Sequence, residues 1–496
     1  MPSRPTIVLF HRNLRLADNV ALSAALETDG PVIPVYCLDD DGLAPFEAGA
    51  ASRWWLHHSL VALDAALRRR GSRLVARRGA TVDTVVALIG ETNAAAVHVA
   101  RGYEPAARRI ERALRAACTG LGVEVRRYSG EALFEPERIR SQSGEPYRVF
   151  TPFWRACGDA PPPAEPLPAP DKFPGPRRWP SSDAIDQWAL LPKAPDWAGG
   201  LRESWRPGEA GAAARLAAFL EHDVARYASD RDRPDLPATS RLSPHLHFGE
   251  ISPRQCWHAV RRARNSSSET SKGHDAFVRE IGWREFSLHL LFHWPHIVDA
   301  PFRSEFARFA WSGDAVANER HFAAWKRGLT GYPIVDAGMR ELWHTGWMHN
   351  RVRMIVASFL CKHLLLPWQD GARWFWDTLV DANVASNQAS WQWVAGCGAD
   401  AAPYFRVFNP VLQGAKFDRD GSYVRRYVPE LAALDTSYIH APWLAPPAAL
   451  RDAGVELGRN YPRPLVDHAA ARARALAAYA DLKGTSASTL ASEADT

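Results

Sequence analysis

A single change of hydrophobic period divides this chain and limits what it can fold into. From residue 5 to about 130, short β-branched runs (TIVLF, PVIPVYCL, SRLVARRG, AAVHVAR, VEVRRYSG) alternate with stretches such as SRWWLHHSLVALDAALRRR. The runs have the length of strands. The intervening stretches repeat apolar residues every three or four positions, which gathers them on one helical face. Such alternation predicts an open parallel sheet with crossover helices, because parallel neighbours need a long return connection. From Ala160 to Pro180 proline is too dense for helix or central strand, since each ring fixes φ and removes an amide donor. Beyond about Trp205 the period is helical almost to Lys483, with no β-alternating block. The expected organisation is an α/β domain with a Rossmann-like sheet (1–130), a long proline-rich connector (131–205), an all-α domain (206–482) and a disordered tail (483–496).

Composition narrows the function by exclusion. A chain of 496 residues exceeds the usual single domain. Its apolar runs fall short of the ~20 residues that span a bilayer, so no membrane partner is expected. The run in MPSRPTIVLFHRNLRL is too short for a signal peptide and leads directly into the first strand. Cys37, Cys118, Cys157, Cys256, Cys361 and Cys397 lie far apart without a CxxC pair, which fits reduced thiols, a cytoplasmic address and no metal site. A net charge of +5 is only mildly basic. The excess of arginine over lysine suits phosphate recognition, but high-GC coding explains it equally well. HExxH, GxxxxGK[ST] and GxSxG are missing. Gly396 to Ala401 matches GxGxxA, yet a Trp-rich helical stretch precedes it where a dinucleotide fold requires a strand.

Several residue sets carry chemistry. After Tyr227, Thr239-Ser240-Arg241-Leu242-Ser243 offers three hydroxyls, backbone amides and a guanidinium, a donor set for a pyrophosphate at a helix start. Alone, the pentapeptide reads more readily as a capping turn with a surface arginine. In FVREIGWREF, Phe277, Glu280, Trp283 and Arg284 fall at i, i+3, i+6 and i+7, placing an acid, an indole and a cation on one helical face. Asn350, Arg353 and Met354 share a face of a helix that Pro367 is expected to end. Asn383, Asn387 and Trp391 recur every four residues in a further stripe. Most of the twenty tryptophans are expected to be core.

The strings TGYPIVDAGMR (330–340), GWMHNRVRM (346–354), WFWDTLVDANVASNQASWQW (374–393) and DAAPYFRVFNP (400–410) resemble the flavin-binding helical domain of the DNA photolyase and cryptochrome family. WFWDTLVDA and YVRRYVPEL are most similar to class III bacterial photolyases. The resemblance implies a cyclobutane pyrimidine dimer photolyase whose C-terminal domain binds FAD, active as FADH⁻, and acts on UV-damaged DNA as a monomer without an obligate protein partner. It would be cytoplasmic, and nucleoid-associated when on DNA. FAD would be held by Tyr227, Thr239, Ser240, Arg241, Leu242, Ser243, Phe277, Glu280, Arg284, Asn350, Arg353, Asp381, Asn383 and Asn387. Glu280, Asn350 and Asn387 would be catalytic, with Glu280 on the thymine edge and Asn387 near flavin N5. Trp283, Arg351, Met354, Trp393 and Arg406 would meet DNA and the flipped lesion. Trp391, Trp368 and Trp311 would relay electrons from the surface to the flavin.

HNRVRM at 349–354 stands where (6-4) photolyases carry a His-rich motif, and favours the cyclobutane branch. Asn387 stands where plant cryptochromes have Asp, and an amide there leaves the reduced flavin anionic. Phe277 and Asn383 replace the family's usual Trp and frequent Asp. The Tyr103-Glu104 loop lacks the Asn-Glu pair of some folate-binding members. As antenna, methenyltetrahydrofolate is favoured over a deazaflavin. The alternatives are a blue-light photoreceptor without repair activity, a non-photochemical flavoprotein oxidoreductase and a plain DNA-binding protein.

Overall fold

The computed structural model describes residues 3–266, 272–401 and 405–484. The five expected runs form β1 (Thr6–Phe10), β2 (Val32–Leu38), β3 (Val75–Arg78), β4 (Ala96–Ala100) and β5 (Glu124–Tyr128). They make one parallel sheet in the order β3-β2-β1-β4-β5, with Ile7 in register with Ile33 on one side and Val97 on the other. The crossovers are helices α1 (Val20–Leu26), α2 (Ala50–Arg68), α3 (Thr81–Thr92) and α4 (Pro105–Gly120). Val85, Leu88 and Ile89 of α3 and Leu114 and Cys118 of α4 pack with Ile33, Val35, Val75 and Val97 of the sheet. All seven residues of β2 are buried, as a strand covered on both faces requires.

The proline-rich segment is an ordered cover for the sheet edge. Asp183 N–H donates to Ala76 O at 2.8 Å, Ala76 N–H to Ser182 Oγ at 2.9 Å and Arg78 N–H to the Asp183 carboxylate at 2.9 Å, so β3 is partnered along its open side. The connector also contains a helix that composition did not reveal, α5 (Phe150–Asp159), whose Phe150, Phe153 and Cys157 form a buried stripe.

Contacts divide the chain into two compact units that do not follow the compositional boundaries. One takes in Met1–Ala228, Thr239–Pro295 and Val380–Ala385; the other takes in Ser229–Ala238, His296–Leu379 and Ser386–Thr496. The first therefore includes α6 (Glu209–His222), α7 (Ser243–Phe248), α8 (Pro253–Ser266) and α9 (Lys272–His293) together with the sheet. Buried carboxylates tie them to it. Asp18 accepts from Ser252 and Arg254, and Glu250 accepts from Trp55 Nε1 at 3.0 Å and Gly208 N at 2.7 Å. A buried carboxylate persists only when its oxygens are satisfied in this way.

The second unit is helical: α10 (Ala315–Arg327), α11 (Pro333–Thr345), α12 (Asn350–Ser358), α13 (Trp368–Thr378), most of α14 (Val384–Ala395), α15 (Pro410–Phe417), α16 (Ser422–Tyr427) and α17 (His468–Lys483). Gly328 and Gly346, at φ of 64° and 65°, terminate α10 and α11 in the left-handed conformation that suits glycine. Helix α12 does not run to Pro367 as expected. It widens into a π turn over Phe359–His363, and the chain then reverses at Leu365, φ 52°. Asp336 at the start of α11 accepts from Thr330 N and Oγ1, Gly331 N and Tyr461 OH, and so fixes the TGYPIVD turn. No described helix is long and apolar enough to cross a membrane. Of the expected tail, residues 485–496 lie outside the described residues.

Candidate functional site

The first unit carries a cationic cradle at the TSRLS segment. Helix α7 begins at Ser243 behind Leu242 without a side-chain cap, and Arg241 sits at φ 50°, a conformation that non-glycine residues rarely adopt. The Arg241 guanidinium lies 5.0 Å from the centre of the Trp205 ring, and that of Arg215, from α6, lies 5.4 Å from the same ring. Burial lowers the Arg215 pKa, and the like charge of Arg241 lowers it further. Two cations on one indole constitute a site that gains from an anion. Beside this, Tyr227, Phe219 and Phe277 form an aromatic triangle with ring centres 4.7 to 5.6 Å apart. The family resemblance singled out Tyr227, Phe277 and Arg241. It passed over Arg215, one arginine among the alanines of EAGAAARLAAFLEH.

Helix α9 places Glu280 and Trp283 one turn apart, both half-buried. Trp283 lies face to face with Phe150 of α5, centres 3.7 Å apart and planes within 8°, so one face of the indole is already covered. A base can stack on the other face only. Arg284 is engaged within the first unit. Its guanidinium donates to Glu131 O at 2.9 Å and to the buried Glu285 carboxylate at 2.7 Å, and Glu285 in turn accepts from Leu133 N at 2.6 Å. Those bonds, the two from Arg284 made by Nη1, hold the 131–134 turn. Asp381 is buried and Asn383 half-buried just ahead of α14.

In the second unit, α12 starts behind His349, whose Nδ1 accepts from Arg351 N at 3.2 Å. Burial pushes the His349 pKa down to about 4, so the ring stays neutral and keeps its acceptor. Asn350 is exposed on the first turn. Arg353 donates to Met348 O at 2.7 Å and lies over Trp347. Arg351 pairs with Asp232 at 3.0 Å, lies 4.5 Å above the Phe417 ring and places Nη1 3.9 Å from Met354 Sδ. Arg406 is exposed, while its carbonyl accepts from the buried Lys362 Nζ at 2.8 Å. Trp393 donates from Nε1 to Asp400 O at 3.0 Å.

Helices α13 and α14 meet closely. A Cβ on Gly371 would stand 2.2 Å from the Trp391 ring, so only glycine lets that indole lie against α13. Asn387 donates to Ala372 O at 3.1 Å, which sets the plane of its amide. Trp391 and Trp368 are each 2% exposed and Trp311 is half-buried, a gradation from interior to surface. Phe375 and a second indole, Trp325, lie 5.0 and 6.3 Å from the Trp391 ring.

These arrangements have counterparts in known proteins. Residues 6–171 match the family described as DNA photolyase, and residues 277–481 match the FAD binding domain of DNA photolyase. The chain is 51% identical to a deoxyribodipyrimidine photo-lyase of Agrobacterium fabrum, over 98% of its own length and 99% of the relative's. A crystal structure of a bacterial class III photolyase from Agrobacterium tumefaciens superposes with a TM-score of 0.94 at 51% identity, covering 98% of this chain and 99% of that one. This chain belongs to the DNA photolyase and cryptochrome family. Cryptochrome-2 of Arabidopsis thaliana is more distant, 39% identical over 95% of this chain and 78% of the cryptochrome.

Family membership brings FAD, and the residues present suit it. A dinucleotide needs cations for its pyrophosphate and apolar surface for its rings, and the Arg215–Trp205–Arg241 stack with the Phe219–Tyr227–Phe277 triangle supplies both in the first unit. Glu104, by contrast, is buried and paired with Arg12, so it is committed within the α/β region.

Proposed function

We propose that this chain is a light-driven lyase that splits cyclobutane pyrimidine dimers in DNA. The carrying observation is its 51% identity, over nearly both full lengths, to a deoxyribodipyrimidine photo-lyase. Bound in its reduced form, FAD supplies under blue light the electron that opens the cyclobutane ring and recovers it afterwards, without net redox change.

The chain's own residues bind, orient and exclude. Arg215, Arg241 and the hydroxyls of Thr239, Ser240 and Ser243 hold the cofactor's phosphates, Tyr227 and Phe277 line its apolar side, and Asp381, Asn383 and Arg353 engage its polar edges. Asn387 would lie by the ring, where its amide, unlike a carboxylic acid, is too weak an acid to protonate it. The lesion leaves the duplex, at a cost of a few kcal/mol that is smallest for damaged bases. Trp283, Trp393 and Met354 offer apolar surface to its bases, and Glu280 and Asn350 offer hydrogen bonds to their edges. Arg351 and Arg406 meet the phosphates as the protein binds DNA as a monomer. Trp311, Trp368 and Trp391 return electrons to an oxidised cofactor.

A folate is the second chromophore favoured. Trp343 is 60% exposed and parallel to Trp374, planes 2° apart and centres 6.1 Å apart, with Lys326 Nζ 4.9 Å from the Trp374 ring. An exposed indole stacked on a half-buried one beside a cation suits a flat, anionic ring system. Trp343→Ala should then remove the near-UV absorbance that flavin does not account for; its persistence would place the antenna elsewhere.

The main test is a flavin-reconstituted sample with an oligonucleotide carrying one thymine dimer, in light and in darkness. Repair in light alone is expected. A photoreducible flavin with intact lesions would favour the photoreceptor reading, and a colourless protein would exclude both.

A further inference from the structure

We propose that Asp232 is a positioning residue for DNA recognition, holding Arg351 so that it meets the backbone around a flipped lesion and not the backbone of an intact duplex. The inference rests on the reading that Arg351 contacts DNA phosphate.

Asp232 lies on the segment Ser229–Ala238, which packs in the same unit as α12. Its carboxylate takes one edge of the Arg351 guanidinium at 3.0 Å. Phe417 covers a face at 4.5 Å, and Met354 Sδ stands 3.9 Å from Nη1. The Nε–H is buried and finds no acceptor among the described residues. The guanidinium is thus held on three sides, and each Nη carries a second N–H beyond the one directed at Asp232 or Met354, on a side chain that is 20% exposed. An arginine on a free stem follows phosphates wherever they run, and supplies affinity without sequence or shape discrimination. An arginine held in one orientation pairs only with a phosphate that arrives there, and the carboxylate beside it repels every other approach. A lesion-flipped strand, anchored by its extruded bases, can bring a phosphate to that orientation. A straight duplex has no such anchor. With side-chain exposures of 20% and 39%, the pair is worth what partly exposed ion pairs are worth. The expected effect of releasing it is therefore about two- to fivefold in affinity.

The experiment measures binding of the flavin-loaded protein, in darkness, to an intact duplex and to the same duplex with one thymine dimer, across a range of salt. Asp232→Asn should tighten the intact duplex about two- to fivefold while leaving the damaged one unchanged or weaker, so that the ratio falls. Asp452→Asn, an exposed carboxylate in the same unit, should move both affinities together and keep the ratio. Parallel tightening in both variants, or an unchanged ratio in Asp232→Asn, would overturn the proposal. If Asp232→Asn fails to retain flavin, Asp232→Glu takes its place: an ion pair moved by one methylene should lower the ratio partway, and a wild-type ratio would count against the idea. Arg351→Gln tests the underlying reading separately. It should weaken damaged DNA and reduce the salt slope by about one; an unchanged slope removes Arg351 from the interface whatever Asp232 does.

Discussion

Replacing Arg215 with glutamine should separate two quantities that usually move together. If Arg215 belongs to an anion site, the loss should cost cofactor affinity and leave the cofactor-free protein nearly as stable. Both guanidiniums lie within about 5 Å of the Trp205 ring centre, so they stand no more than about 10 Å apart. At that distance two unit charges repel by about 0.4 to 1.7 kcal/mol for effective dielectric constants between about 80 and 20. Glutamine removes this repulsion together with a stacking contact worth about 0.5 to 1 kcal/mol, and the two nearly cancel. The lost charge-assisted bond to a phosphate is worth about 1.5 to 3 kcal/mol, or about 10- to 150-fold in FAD affinity. Quenching of flavin fluorescence on titration into stripped protein measures the affinity, and thermal unfolding with and without flavin measures stability. The stripped variant should melt within about 2 °C of wild type, while the loaded variant loses part of the ligand-dependent gain. A stripped variant that melts several degrees lower with unchanged flavin affinity would show Arg215 to be scaffolding for Trp205.

Trp391→Phe should block photoreduction of oxidised FAD but spare repair when the flavin is reduced chemically; normal photoreduction would refute the relay. Asp336→Ala strands four donors in a fully buried site and should cost at least ~3 kcal/mol, lowering the melting temperature by about 6 to 12 °C, and a shift under about 2 °C would contradict the accounting. Lys362 is buried without a carboxylate partner among the described residues, and desolvation lowers its pKa from 10.5 to about 7. The unfolded chain holds that proton up to higher pH, so the burial penalty is complete below about pH 7 and is relieved as pH rises towards 10.5. The melting temperature of Lys362→Met relative to wild type should accordingly fall across that interval, and a pH-independent difference would show that Lys362 does not titrate there.

Much of the fold, and the helices that carry the candidate site residues, was legible because the signals are local. The five strands fall on the five β-branched runs, and α9, α12 and α14 present the stripes that three- and four-residue spacing requires. What escaped was pairing across long separations. The bonds from Arg284 to Glu131 and from the 133–134 turn to Glu285 span some 150 positions, which no local pattern reveals. Arg351 looked like a bare rim arginine because Asp232 is far from it in sequence, and Arg215 had no neighbour that marked it. Helix α5 was hidden by the prolines around it, although its Phe150, Phe153 and Cys157 stripe could have revealed it.

Residue order alone determined the alternating α/β beginning, the helical remainder and the family, since periodicity and motif strings are properties of neighbouring positions. Tertiary structure alone decided which cations are available to an anion and which are already neutralised. A charged side chain's role depends on the counter-charge within a few ångströms, and a linear chain does not specify that distance until it has folded.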